Sequence, residues 1–152
     1  MDATATIASA TAMPHFHAGF DSMRAYNSAD NDRPGIASRP YAADREGFVF
    51  SEGAGALVLE TRASAEQRGA EILGVVHGFG MSSDGEGEMV APSPDGAYRA
   101  MLAALSSTGL CPEQIDYVNT HGTSTPVGDV GEVLAIRRVM DERRVRESST
   151  KG

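Results

Sequence analysis

One imidazole, His121, stands close in sequence to three hydroxyls, Thr123, Ser124 and Thr125, and to two carboxylates, Asp129 and Glu132. Gly122 and Gly128 lie between them. A neutral imidazole donates from one ring nitrogen and accepts on the other, and hydroxyls do both, so this group could polarise a carbonyl or hold a polar substrate. The glycines let backbone approach a ligand more closely than any residue with a Cβ.

Such residues are useful only if an element holds them. Ile115 to Asn119 reads as a short buried strand, and Asp129 opens an apolar-periodic helix. The loop between them would then lie at the carboxyl end of a strand, where α/β sheets place their ligands. A plainer reading stands beside this one. Asp129 and Glu132 fit a capping box, which alone would account for both acids, and a loop histidine also serves as a hydrogen-bonded structural residue. Residue spacing leaves both readings of His121 open.

Other segments supply candidate scaffold. Phe16, Phe20 and Met23 at helical spacing predict an amphipathic helix over residues 15 to 25. His15 and His17 have no further ligands nearby, so no metal site is expected. Residues 27 to 40 have loop composition, with Arg33, Arg39 and Arg45 around them. These arginines read as a solvated, salt-bridged loop or, alternatively, as a contact for an acidic partner. Gly47 to Phe50 and Ala56 to Leu59 predict strand buried on both faces, in which Glu52 would need a partner. Residues 64 to 69 predict a short helix capped by Ser64, and 71 to 77 a strand. Gly78-Phe-Gly80 lacks the rest of a dinucleotide fingerprint and is rejected as one. Residues 84 to 94 predict a loop. Asp95 then caps a helix with Tyr98, Met101, Leu102 and Leu105 on its apolar stripe. The helix from Asp129 points Val133, Ile136 and Met140 inward, and its charged end, 141 to 146, reads as a solvated face. Residues 1 to 12 read as a loose N-terminal remnant, and 13 to 152 as a single domain.

Composition narrows the function classes. Twenty-one acids against thirteen Lys and Arg give a net charge of −8, which argues against nucleic acid. No apolar run is long enough to span a bilayer, so no membrane partner is expected. The single cysteine excludes an intrachain disulfide and fits a reducing, cytoplasmic location. Cys111 is also a poor nucleophile for His121. The strand between them would hold them roughly 17 Å apart, whereas a nucleophile and its partner need about 3 Å. A serine hydrolase is disfavoured too, because no Gly-x-Ser-x-Gly elbow is present.

His121-Gly-Thr-Ser-Thr-Pro-Val-Gly-Asp129, followed by Ser148-Ser-Thr-Lys151-Gly, resembles the β-ketoacyl-[acyl-carrier-protein] synthases. Ala37-Ser-Arg-Pro-Tyr41, Asp44-Arg-Glu-Gly-Phe48, Glu52-Gly-Ala-Gly55 and Gly78-Phe-Gly-Met-Ser-Ser-Asp84 are similar to that family in order and spacing. The resemblance implies part of a thiolase-like, layered αβαβα fold, straddling the junction of its two halves. It implies decarboxylative Claisen condensation of an acyl-enzyme with malonyl-acyl carrier protein in fatty-acid elongation. His121 would donate a hydrogen bond to the developing oxyanion, and Lys151 would organise the site. Asp129 and Glu132 would sit near that lysine, and Thr123 and Thr125 would contact the pantetheine arm. The partners implied are an acyl carrier protein and, for the full-length family, a second copy in a homodimer. No cofactor is implied beyond the phosphopantetheine that carries the substrates. The family's nucleophilic cysteine and second histidine would fall before Met1 and after Lys151, so the chain alone is expected to be inactive. The alternative is a non-catalytic, condensing-enzyme-like interaction subunit.

Overall fold

The computed structural model describes residues 3–10, 13–85, 87–88 and 91–152, with the strands at 3–10, 87–88 and 91–92 described by backbone alone. Helices and strands alternate along the chain, as the α/β reading requires. The part that carries the candidate site is a strand, a helix and a second strand. These are β5 (Tyr117–Thr120), α4 (Pro126–Val139) and β6 (Arg146–Ser149). β5 and β6 pair in parallel, Tyr117 opposite Arg146 and Thr120 opposite Ser149. A parallel pair needs a crossover, and α4 provides it. Both strands therefore end on the same side, which puts the loop after Thr120 next to the residues after Ser149.

The core of this unit lies between α4 and α3 (Pro94–Thr108). Ile136, Val139 and Met140 are fully buried, with Tyr98, Met101, Leu105, Ile115, Val118 and Val145 packed against them. Leu102, expected on the same stripe, is partly exposed. α3 is capped by Ser93, whose hydroxyl accepts the Asp95 N–H, and Pro94 occupies its first turn. Asp95, the expected cap, instead pairs with Arg138 at 2.6 Å. Gly109 ends the helix in a left-handed conformation, as expected. The segment at Gly78 to Gly80 lies hard against α3: a Cβ on Gly80 would sit 1.9 Å from the Ala100 carbonyl oxygen. Close packing thus accounts for these glycines.

Several expectations fail in informative ways. The capping box is not formed. Thr125 is the N-cap and Pro126 the first helical residue, so α4 begins before Asp129, as proline's preference for a first turn favours. Ala3–Ala10 is not loose but forms β1, antiparallel to β2 (Gly53–Glu60). β2 was expected to be buried, yet Leu57 and Val58 are about 70% exposed because among the described residues only β1 pairs with it. Glu52 is likewise at the surface. Residues 71 to 77 form no strand, and Leu73 is 92% exposed. A run of β-formers needs a neighbour to satisfy its backbone, and none of the described strands supplies one. The helix α2 (Arg62–Gln67) is capped by Thr61 rather than Ser64. Within 84 to 94, β3 (Gly87–Glu88) and β4 (Ala91–Pro92) make a small antiparallel pair.

The N-terminal helix α1 (Pro14–Ser22) is shorter than expected and buries none of its residues fully. Its Phe20 joins Tyr26, Phe48 and Phe50 in an aromatic cluster, with ring centroids 5.0 Å apart for Tyr26 and Phe48. The loop that follows is organised by Asp30, which is buried. Its carboxylate accepts from Asn27 Nδ2 at 2.9 Å, Arg33 Nη2 at 2.6 Å and Arg39 Nη1 at 2.5 Å. These donors, the Asn27 amide foremost and then Arg39, hold the Asp30 carboxyl below the usual carboxylate range.

Candidate active site

Parallel pairing of β5 and β6 explains why residues thirty positions apart meet. Thr120 is followed by His121 and Gly122, and Ser149 by Thr150 and Lys151, so both tails leave the sheet at the same edge. Lys151 Nζ donates to the His121 carbonyl oxygen at 2.6 Å, and Ser149 Oγ donates to the Gly122 carbonyl at 2.8 Å. Gly122 has φ +34°, and a Cβ there would lie 2.6 Å from the Ser149 Cβ. No larger residue fits without moving β6.

On the other side, α4 holds the same loop through its side chains. Glu132 Oε1 accepts the His121 N–H at 2.6 Å, and Oε2 accepts the Gly122 N–H at 2.8 Å. The two expected acids therefore bind groups outside their own helix. Asp129, 1% exposed, accepts the Tyr41 N–H through Oδ2 at 2.9 Å and lies 3.3 Å from Arg45 Nε. A buried carboxylate needs such partners. Thr123 and Thr125 place their hydroxyls 3.1 Å apart. Between them Ser124 is fully buried with φ +69°, an uncommon conformation for a residue with a Cβ. Its carbonyl accepts the Gly47 N–H, and its hydroxyl accepts the Arg39 N–H.

His121, Thr123, Thr125, Asp129 and Glu132 all line one cavity of about 360 Å³. Phe20, Phe48 and Ala97 supply an apolar wall, and Asp84 and Ser93 a polar edge. The spacing-based grouping of these five residues thus corresponds to one place. Lys151 does not line the cavity but braces its rim through the His121 backbone. The His121 side chain is exposed, and Cys111 is exposed and not among the lining residues.

Sequence reasoning missed Tyr41 and was half right about Arg45. Arg45 was grouped with a solvated, salt-bridged loop; it does pair with Asp129, but it is largely buried, and its guanidinium donates to the carbonyls of Ala42, Thr125 and Pro126. Arg39 is similarly spent on Asp30, Ile36 and Asp44. Neither is available as a docking cation, because each is already held by carbonyls and carboxylates in the fold. Tyr41 was quoted only as part of a motif, yet its hydroxyl donates to Glu132 Oε2 at 3.1 Å. Burial, with help from the charges on Glu132 and Asp129 and against the Thr120 hydroxyl, pushes the Tyr41 phenol up to about 12. The signal that could have found it was an aromatic hydroxyl inside a loop otherwise made of Pro, Ala and charged residues.

Known proteins resemble this chain in both sequence and fold. The family model "Beta-ketoacyl synthase, C-terminal domain" matches residues 73–152, and "Beta-ketoacyl synthase, N-terminal domain" matches 3–65. A 3-oxoacyl-[acyl-carrier-protein] synthase 2 from Vibrio cholerae is 50% identical over 140 residues, covering 89% of this chain and 33% of the relative. A crystal structure of a Beta-ketoacyl synthase from Burkholderia phymatum has 39% identity and a TM-score of 0.92, over 99% of this chain and 36% of that one. A type II PKS acyl-carrier protein in complex with its ketosynthase bound to the hexaketide gives 28% identity and a TM-score of 0.83, over 97% of this chain and 38% of that one. The chain spans about a third of the length of the curated relatives it matches. The partial thiolase-like fold expected from the sequence is the one these ketosynthase structures share with it. No helix among the described residues is long and apolar enough to cross a membrane.

Proposed function

The chain belongs to the β-ketoacyl synthase family, and from that premise we propose that it supplies the decarboxylation half of a decarboxylative Claisen condensation. In that reaction a malonyl thioester loses carbon dioxide, and the electron pair left behind forms an enolate with its negative charge on the thioester oxygen. The new carbanion carbon attacks an acyl thioester held on an enzyme cysteine and expels the thiolate. A donor fixed near the oxyanion lowers the barrier to the first step.

The observation that carries this reading is the way His121 is held. Its N–H is bound by Glu132 and its carbonyl by Lys151, so both sides of its backbone are fixed at the rim of the cavity. A pre-positioned backbone spares the ring a reorganisation cost when charge develops. In this reading the His121 ring N–H faces the oxyanion, and Lys151 and Glu132 set its position. Asp129 keeps the neighbouring turn in place. Thr123 and Thr125, with hydroxyls that donate and accept, meet the amides of the pantetheine arm. The substrate arrives on an acyl carrier protein, a reading supported by the acyl-carrier protein found in complex with the polyketide ketosynthase named above. The working assembly is a homodimer in the cytoplasm and uses no cofactor beyond the carrier's phosphopantetheine.

The test separates the two half-reactions. The chain is assayed together with the family's cysteine and second-histidine segments, with and without His121→Ala. Acylation of the cysteine should persist, while carbon dioxide release from malonyl-acyl carrier protein falls by about 10²–10³. Equal loss of both would reduce His121 to a structural residue and favour the non-catalytic interaction subunit.

A further inference from the structure

One carboxylate, Glu132, collects three donors from outside its own helix: the His121 N–H, the Gly122 N–H and the Tyr41 hydroxyl. The first two fix the loop that carries the imidazole. The third comes from a different part of the chain, and its geometry is costly. Tyr41 has φ +67°, a left-handed conformation that a bulky aromatic residue adopts only when its surroundings impose it. Two bonds impose it here: the Tyr41 N–H goes to the buried Asp129 carboxylate, and the ring then reaches Glu132 one helical turn further along α4. A lone Glu132 holding two amides could still swing about its side-chain torsions. The phenol removes that freedom by engaging Oε2, the oxygen that also holds Gly122.

We propose that Tyr41 is a positioning residue for His121, acting through Glu132 to fix the orientation of the His121-Gly122 backbone. The proposal deepens the reading of His121 as oxyanion donor and rests on it for its catalytic meaning. Its structural content stands apart from that reading, because the hydrogen-bond relay exists with or without substrate. The groups around the phenol are Glu132 and Asp129 from α4, Thr120 at the end of β5, and Arg45 beside Asp129. Loss of the phenolic proton would set a phenolate against the two carboxylates, so the relay works only with Tyr41 neutral.

The experiment uses the full chain and two conservative variants, Tyr41→Phe and Glu132→Gln, and needs no substrate. Amide hydrogen exchange is followed by NMR at His121 and Gly122, with Ile136 in the α4 core as internal reference. Tyr41→Phe should speed exchange at His121 and Gly122 at least about tenfold while leaving Ile136 unchanged, as expected for loss of one charge-assisted hydrogen bond. Phenol titration by ultraviolet absorbance, as the difference between the parent and Tyr41→Phe, isolates Tyr41. In Glu132→Gln its midpoint should fall from about 12 while staying above the ordinary tyrosine value of 10.0, because burial, the larger cause, remains. Unchanged exchange at both amides in Tyr41→Phe, or a Tyr41 titration that ignores Glu132→Gln, would overturn the relay. Either result would leave the carbon dioxide assay on His121 to decide the function independently.

Discussion

At the scale of single residues, the site depends on two backbone positions that few side chains tolerate. Gly122 sits where a Cβ would meet Ser149 Cβ at 2.6 Å, in a positive-φ conformation. Gly122→Ala should therefore destabilise the chain by about 1–3 kcal/mol and separate the His121 loop from β6. A denaturant titration checks the first effect, and loss of protection at the Gly122 amide checks the second. Ser124 pays a similar conformational cost but keeps its hydroxyl under the Arg39 N–H, which argues that serine is there for that bond. Backbone strain thus gathers at the proposed site, as it commonly does where geometry must be fixed before a ligand arrives.

At the scale of elements, the sequence was most legible where apolar spacing and punctuation agreed. Tyr98, Met101, Leu105, Ile136 and Met140 announced the α3–α4 packing, and Gly109 announced the end of α3. It was least legible where a partner decides the outcome. Residues 71 to 77 have strand composition and no strand, because composition cannot name the neighbour that completes a ladder. Lys151 joined His121 through the parallel register of β5 and β6, which no local pattern encodes. The capping box read from Asp129 and Glu132 did not form, since a proline at the first turn moved the helix start. The loop after α1 offers a pH test of the same kind of hidden partner. The Asp30 carboxyl is held below its usual range in the fold, so it contributes stability above the unfolded carboxylate pKa, and that contribution is lost as pH falls through the folded value. Melting temperature should thus drop as pH is lowered below about 4, where the unfolded chain binds the Asp30 proton before the fold does, and less steeply in Asp30→Asn. Equal slopes in the two proteins would assign the acid sensitivity elsewhere.

At the scale of the whole molecule, the buried core is small beside the apolar surface. Leu57, Val58, Leu73, Val76 and Phe79 are all exposed, on β2 and the segment that follows α2. Exposed strand edges and apolar patches of this kind drive association. The isolated chain should sediment as a concentration-dependent mixture of oligomers. A single monomeric boundary with a sharp, cooperative melt would show instead that these faces are compatible with water. The net charge of −8 opposes association over long range and should make it more pronounced at high salt.

The parallel register of β5 and β6 also sets which changes in chain length this protein can absorb. The turn between α4 and β6 lies on the surface at Asp141 and Glu142, both already at positive φ. An extra residue there can bulge into solvent without disturbing the ladder. One extra residue between Arg146 and Ser149 has no such outlet. It would turn the rest of β6 over, send Ser149 to the opposite face and carry the Lys151 ammonium away from the His121 carbonyl. Two insertions a few positions apart would thus have opposite fates: one a silent lengthening, the other the dismantling of the site.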